Sequence, residues 1–287
     1  MPPLPSAITV RVHALGLLLA AGPVLAAELA FGELPAGAVS TNVTCDVAAE
    51  LCRDHLFDPA LVGVRLPDGV RLVQADEYAK SDPGVADLLK RHSRFARYAV
   101  GSLCAMSVGH FVVDGVRVHA PGPTPAAFWW ARAEGARDPR MRGKAEWVQL
   151  ASWYSKSVTD RARIVATDPM AQFIDLEVTP TQPNVWLIRL ALPTERIDAE
   201  VRGSGQRQRR GASEPAFMSV PFAGVGAGSF WVITYVGHHH QQAVGQWSAQ
   251  GAGVFRDAFQ IPGEAEVFGT VMQDGWAALS GLYRPAP

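Results

Sequence analysis

The segment with the most chemistry to offer is Tyr235-Val236-Gly237-His238-His239-His240-Gln241-Gln242. It follows an apolar run, Phe230–Val236, that reads as a strand. If the strand continues through the histidines, His238 and His240 share one face and His239 points to the other. Two imidazoles at i and i+2 can ligate one divalent transition metal (zinc, iron, copper or manganese) in a β-barrel. Such a site needs further ligands, and His110, Glu264, Glu266 and Asp257 are the candidates. The same pair can instead do acid–base work, because imidazole titrates near neutrality. Tyr235 would support it. The spacing is much less specific than His-Glu-x-x-His, which the chain lacks. The competing reading is a strand-end cluster that simply faces water.

The second chemical feature is aromatic. There are 8 tryptophans, and Trp129, Trp130, Trp153 and Trp231 lie in segments that read as barrel or helix-packing elements. Together they would suit a pocket for a small apolar or aromatic molecule in a barrel mouth. Ordinary core packing competes with that reading for each single ring. Lysines are few: Lys80, Lys90, Lys144 and Lys156. Schiff-base chemistry would need one of them desolvated. Lys144, at the start of a strand near Glu146, is the one to test against the reading of a plain surface lysine.

Several motifs are missing. The chain has no Gly-x-Ser-x-Gly elbow, no Gly-x-x-x-x-Gly-Lys-Ser/Thr loop and no dinucleotide fingerprint opening a helix. Gly224–Gly228 leads into an apolar strand and reads as a turn or a close backbone approach.

The elements that must position these residues are mostly strands. From residue 145 onward, short apolar runs recur between Pro, Gly and Asp-Pro signals: Glu146–Ser155, Ala162–Ala166, Phe173–Val178, Val185–Leu192, Ile197–Val201, Ala216–Val220, Ser229–Val236, Gly245–Ala249, Ala265–Met272 and Trp276–Tyr283. Gly203–Pro215 is polar and basic and reads as an exposed loop. Two hairpins are expected, at Asp68-Gly69 and at Asp114-Gly115. Two helices are expected as well. One is capped by Ser81 with Pro83 in its first turn, and the other opens at Thr124-Pro125 and stops near Gly135. The predicted fold is mainly β (α+β), with an antiparallel barrel-like or sandwich core and two short helices in the N-terminal half. Residues 27–58 read as a loop-rich segment and 59–287 as a single β-rich domain.

Compartment is read from the first residues. Arg11 precedes an apolar run, Val12–Leu25, and small residues follow at Ala26 and Ala27. That is the pattern of a secretory signal peptide over residues 1–26. The run is about 14 residues, shorter than the roughly 20 a membrane-spanning helix needs, so no stable membrane insertion is expected after cleavage. The expected location is periplasmic or secreted. In an oxidising compartment Cys45 and Cys52 can close a small loop, leaving Cys104 as a buried thiol, although Cys104 bridged to either is also open. A net charge of −1 gives no support for nucleic-acid binding.

The expectation is therefore an exported enzyme acting on a small apolar organic molecule in a barrel-type pocket. His238 and His240 would be its metal ligands or acid–base groups. The alternatives are a non-catalytic, lipocalin-like binding protein and a cell-envelope interaction protein.

Overall fold

Residues Ala99–Val113 are buried almost throughout on both faces, as a strand is when it lies inside a larger sheet assembly. The computed structural model describes residues 42–63, 66, 69–118, 122–135, 146–212, 216–219, 230–261 and 269–283. The strands in chain order are β1 (Asn42–Phe57), β2 (Arg71–Leu72), β3 (Ala99–Val113), β4 (Val116–Arg117), β5 (Thr124–Glu134), β6 (Glu146–Ser155), β7 (Ala171–Gln182), β8 (Val185–Ala191), β9 (Glu195–Ala212), β10 (Ala216–Ser219), β11 (Phe230–Gly251) and β12 (Gly269–Tyr283). The helices are α1 (Ala75–Tyr78), α2 (Pro83–Arg91), α3 (Arg161–Thr167) and α4 (Val254–Ala258).

The strands form one large sheet. From β6 the pairings pass through β7, β8, β9, β11, β12, β1, β3 and β5, and β5 pairs β6 again. Most pairs are antiparallel, but β6–β7 and β6–β10 are parallel. The expected mainly β, barrel-like architecture is what the chain adopts, with a mixed sheet in place of a purely antiparallel one.

Two apolar clusters lie on opposite faces of this sheet. The inner one gathers residues from β1, β3, β5, β6, β7, β8, β9 and β11 with Phe255 and Ala258 of α4. The outer one joins Val43, Cys45, Val47, Phe128 and Tyr154 to Ile164 of α3. Strand β5 shows the division residue by residue. Ala127, Trp129, Ala131 and Ala133 face the inner cluster, while Ala126 and Phe128 face the outer one.

Strand β1 changes faces partway. Val43, Cys45 and Val47 pack outward, but Ala49, Leu51 and Phe57 pack inward. The register slips between Val47 and Ala49, and one extra residue in a strand reverses which parity faces the core.

Several expectations are corrected. Residues 42–57 are not loop-rich but form the longest pairing partner of β3. The helix expected at Thr124–Gly135 is strand β5. Its apolar residues fill both faces, and a doubly buried strand is not separable from a buried helix by periodicity alone. Ala162–Ala166 is helix α3, begun by the Asp160 carboxylate, which accepts from Arg163 N at 3.3 Å. The basic stretch Gly203–Ala212 is not a loop but the outer half of β9, paired to β11. Of the hairpin expected at Asp68-Gly69, Asp68 and part of the first strand lie outside the described residues, and Arg71–Leu72 forms β2, paired with β5.

Other expectations hold. Helix α2 forms with Pro83 at its start, capped by Asp82, one residue after Ser81, through a 3.0 Å bond from Val85 N. The Asp114-Gly115 hairpin joins β3 to β4, with both residues at positive φ (47° and 77°), as a type I′ turn requires. The signal-peptide segment lies outside the described residues. Among the described residues no helix is long and apolar enough to cross a membrane.

Candidate functional site

The strand does continue through the histidines. His238, His239 and His240 lie in β11 opposite Arg210, Arg209 and Gln208 of β9. Alternation then fixes their faces. His239, Gln241 and Ala243 share one face, and Ala243 belongs to the inner cluster. His238 and His240 share the other face with the exposed Gln242. The imidazole pair therefore lies on the face opposite the inner cluster, with His238 buried and His240 half-buried.

Residues directly opposite in an antiparallel pair share a face, so Arg210 lies beside His238. Burial is the first cause that lowers the His238 pKa, followed by the charges of His240, Arg210 and His239. For His240 burial again comes first and Arg210 second. Both imidazoles are thus held toward the neutral form, which can accept a proton or a hydrogen bond.

The other expected ligands do not join this pair. His110 sits on β3, three strands away along the sheet, with Nδ1 at 3.5 Å from Asp46 Oδ2. Asp257 lies in α4 and binds Arg256. Glu264, Glu266 and Lys144 fall outside the described residues. Tyr235 and Trp231 lie in β11, where only the backbone is described. Among the described residues, the one gathering of three potential metal-ligating side chains is Glu50, Cys52 and Cys104, and both of those cysteines are bridged.

That bridge corrects the cysteine pairing. Cys52 bonds to Cys104, its direct register partner on β3, and Cys45 is a buried thiol. Cys45 and Cys52 occupy one strand, seven residues and about 23 Å apart at the usual rise, too far for a bridge.

The tryptophans divide by face. Trp129 and Trp153 meet inside around Phe255, with ring centroids 4.9 and 6.2 Å from it. Trp130 faces outward with Phe128. At this inner aromatic group stands His55, which the sequence reading passed over. Its Nδ1 donates to Arg53 O at 3.1 Å, and its Nε2 accepts from Trp129 Nε1 at 3.2 Å. Full burial pulls its pKa down to about 3. Both ring nitrogens are engaged, so His55 is a positioning residue for Trp129 and has no spare valence for proton transfer. Arg53 lies over the Phe259 ring at 4.0 Å. The one signal for these residues was the alternation Leu51, Arg53, His55, Phe57, masked by two polar members.

A second buried centre sits on the outer face. The Asp168 carboxylate accepts from Gln149 Nε2 and Tyr154 OH, each at 3.0 Å, and from Met170 N at 3.1 Å. Burial pushes its pKa up, while these donors hold it back. The carboxylate is wholly enclosed, so it fastens α3 to β6 and presents nothing to a substrate. In sequence Asp168-Pro169 is one of the Asp-Pro signals that separate the expected strands.

No protein-family model matches the chain, and no match is found among curated proteins. Among solved structures, the enduracididine biosynthesis enzyme MppR complexed with pyruvate aligns with a TM-score of 0.44 and 10% identity, over 85% of this chain and 88% of that one. An acetoacetate decarboxylase from Legionella pneumophila aligns with a TM-score of 0.43 and 8% identity, over 89% of this chain and 92% of that one. At these values no residue role, substrate or activity is carried across.

Proposed function

We propose that the chain binds a small, largely apolar organic molecule in the interior of its ring of strands. The observation that supports this reading is the interior lining, where Trp129, Trp153 and Trp186 stand among alanines such as Ala127, Ala199 and Ala243 as well as leucines and isoleucines. A ring of about eight strands is just wide enough to be filled by side chains or to hold one small ligand. Ala127 lies opposite Trp153; a small residue facing a large ring favours the second use, and aromatic walls suit an apolar guest. Export to an oxidising compartment belongs to this reading. The Arg11 and Val12–Leu25 pattern supports it, as does the Cys52–Cys104 bridge.

The test is titration of the purified chain with N-phenyl-1-naphthylamine, a neutral apolar fluorophore. The expected result is saturable binding near one equivalent, with energy transfer from tryptophan. No saturable binding would remove the reading.

A second reading, that the chain is an enzyme, is favoured by the two neutral imidazoles beside Arg210. His238 and His240 would transfer protons at the sheet's outer rim. In that case a screen of small esters and keto acids finds turnover that His238→Asn and His240→Asn abolish while fluorophore affinity stays unchanged.

A further inference from the structure

The inner face carries polar atoms that its apolar surroundings do not satisfy. Gln241 is nine-tenths buried. Its Nε2 donates to Gly205 O at 2.9 Å, but its Oε1 has no hydrogen-bond partner. Nδ1 of His239, two residues earlier on the same face, is buried and has no partner either. The third is Nε1 of Trp186, an inner-cluster residue 9% exposed.

Two of these groups, Gln241 Oε1 and Trp186 Nε1, lie on one patch of wall, and His239 stands farther along β11. Gly203 faces Ala243 across the β9–β11 pair. A Cβ on Gly203 would collide with the Gln241 carboxamide, so the carboxamide lies directly over the glycine, on the inner face. Trp186 stands opposite Val201, two residues from Gly203 on the same strand. Proteins leave few buried polar atoms without partners, because each forfeits its hydration. Two side by side, the Gln241 carboxamide seated over Gly203 and the Trp186 indole next to it, need a common explanation.

We propose that this wall is the polar subsite for the ligand of the interior, and that it takes a neutral hydroxyl or carboxamide group. Gln241 Oε1 accepts a hydrogen bond and the Trp186 indole donates one. A group that both donates and accepts fits the two. The remainder of the molecule is apolar and packs on Trp186. Arg209, opposite His239 and exposed, marks the solvent rim. The proposal rests on the interior-binding reading above and adds the chemistry of the group recognised.

The test compares phenol, toluene and benzoate, using the Trp186 indole N–H resonance assigned by loss in Trp186→Phe. The expected result is a saturable shift with phenol, with toluene and benzoate weaker by at least about tenfold, and loss of that preference in Gln241→Leu. Equal binding of phenol and toluene, unchanged by Gln241→Leu, overturns the polar subsite and leaves the interior-binding reading standing. Tighter binding of benzoate overturns the neutral class. No binding of any probe overturns both. The comparison of phenol with toluene needs no variant, so it decides the matter even if Gln241→Leu fails to fold.

Discussion

The indole N–H of Trp129 donates to Nε2 of His55 across 3.2 Å, linking β5 to β1 over the intervening β3. Replacing His55 by Phe keeps the ring and removes the acceptor. The buried Trp129 N–H then loses its partner, which costs about 1–3 kcal/mol. Urea unfolding should show that loss. Adding Trp129→Phe should cost less in His55→Phe than in the parent, because the donor then has no partner to lose. Additive losses would mean that the bond contributes nothing beyond packing.

The same histidine gives the fold an acid-sensitive limb. The unfolded imidazole protonates below about 6.5, but the folded one does so only near 3. Between those values the unfolded state binds the extra proton, so stability falls as pH drops through that window. The contribution is on the order of 5 kcal/mol across the full window. Asp168 opposes it in part. Its raised pKa gives stability that is complete below about 3.8 and fades as pH rises through the folded value. His55→Gln should therefore flatten the decline in unfolding free energy between about pH 6 and 4. An unchanged slope would assign the acid limb to other groups.

How far this was legible in sequence depends on what surrounds each residue. The His238–His240 strand was readable because alternation fixes faces locally. Which face meets the core was not, because that is decided by partners such as Gly203 and Arg210 in a strand distant in sequence. β5 misled because Thr124-Pro125 imitates a helix start, while Phe128, Trp129 and Trp130 belong to two different cores. The outer half of β9 misled for the opposite reason. Its Arg and Gln residues carry no apolar alternation, and it is a strand through pairing with β11 alone. Asp168 looked like a turn residue because its partners, Gln149 and Tyr154, lie a strand away.

The bridge can be counted directly. In denaturant without reductant, one thiol per chain, Cys45, should react with Ellman's reagent, and three after reduction. Cys52→Ala/Cys104→Ala removes a crosslink spanning 52 positions. Chain entropy puts the loss at about 4 kcal/mol. Three reactive thiols before reduction would place all the cysteines in the reduced state.

Asp168 is surrounded by donors, so Asp168→Asn is not a mild change. The new amide N–H₂ would point at Tyr154 OH, Gln149 Nε2 or Met170 N, each now bonded to a carboxylate oxygen. Destabilisation of about 2–4 kcal/mol is expected, with the greatest loss of amide protection in α3. Tyr154→Phe removes one donor and should cost about 1 kcal/mol. If Asp168→Asn is neutral in urea unfolding, the carboxylate does not fasten α3.

Arg210 sets the electrostatics of the outer rim. It sits opposite His238, and its charge helps to lower the pKa of both His238 and His240, after burial. Arg210→Ala should raise both imidazole pKa values, while Arg210→Lys should leave them nearly in place. Titration followed by histidine ring resonances reads both variants. Because a neutral base is lost as it protonates, any turnover that uses these imidazoles should have an acid limb that moves up in pH with Arg210→Ala and not with Arg210→Lys. An acid limb that stays fixed while the imidazole pKa values move would separate the pair from the chemistry. Fixed imidazole pKa values would instead separate Arg210 from the pair.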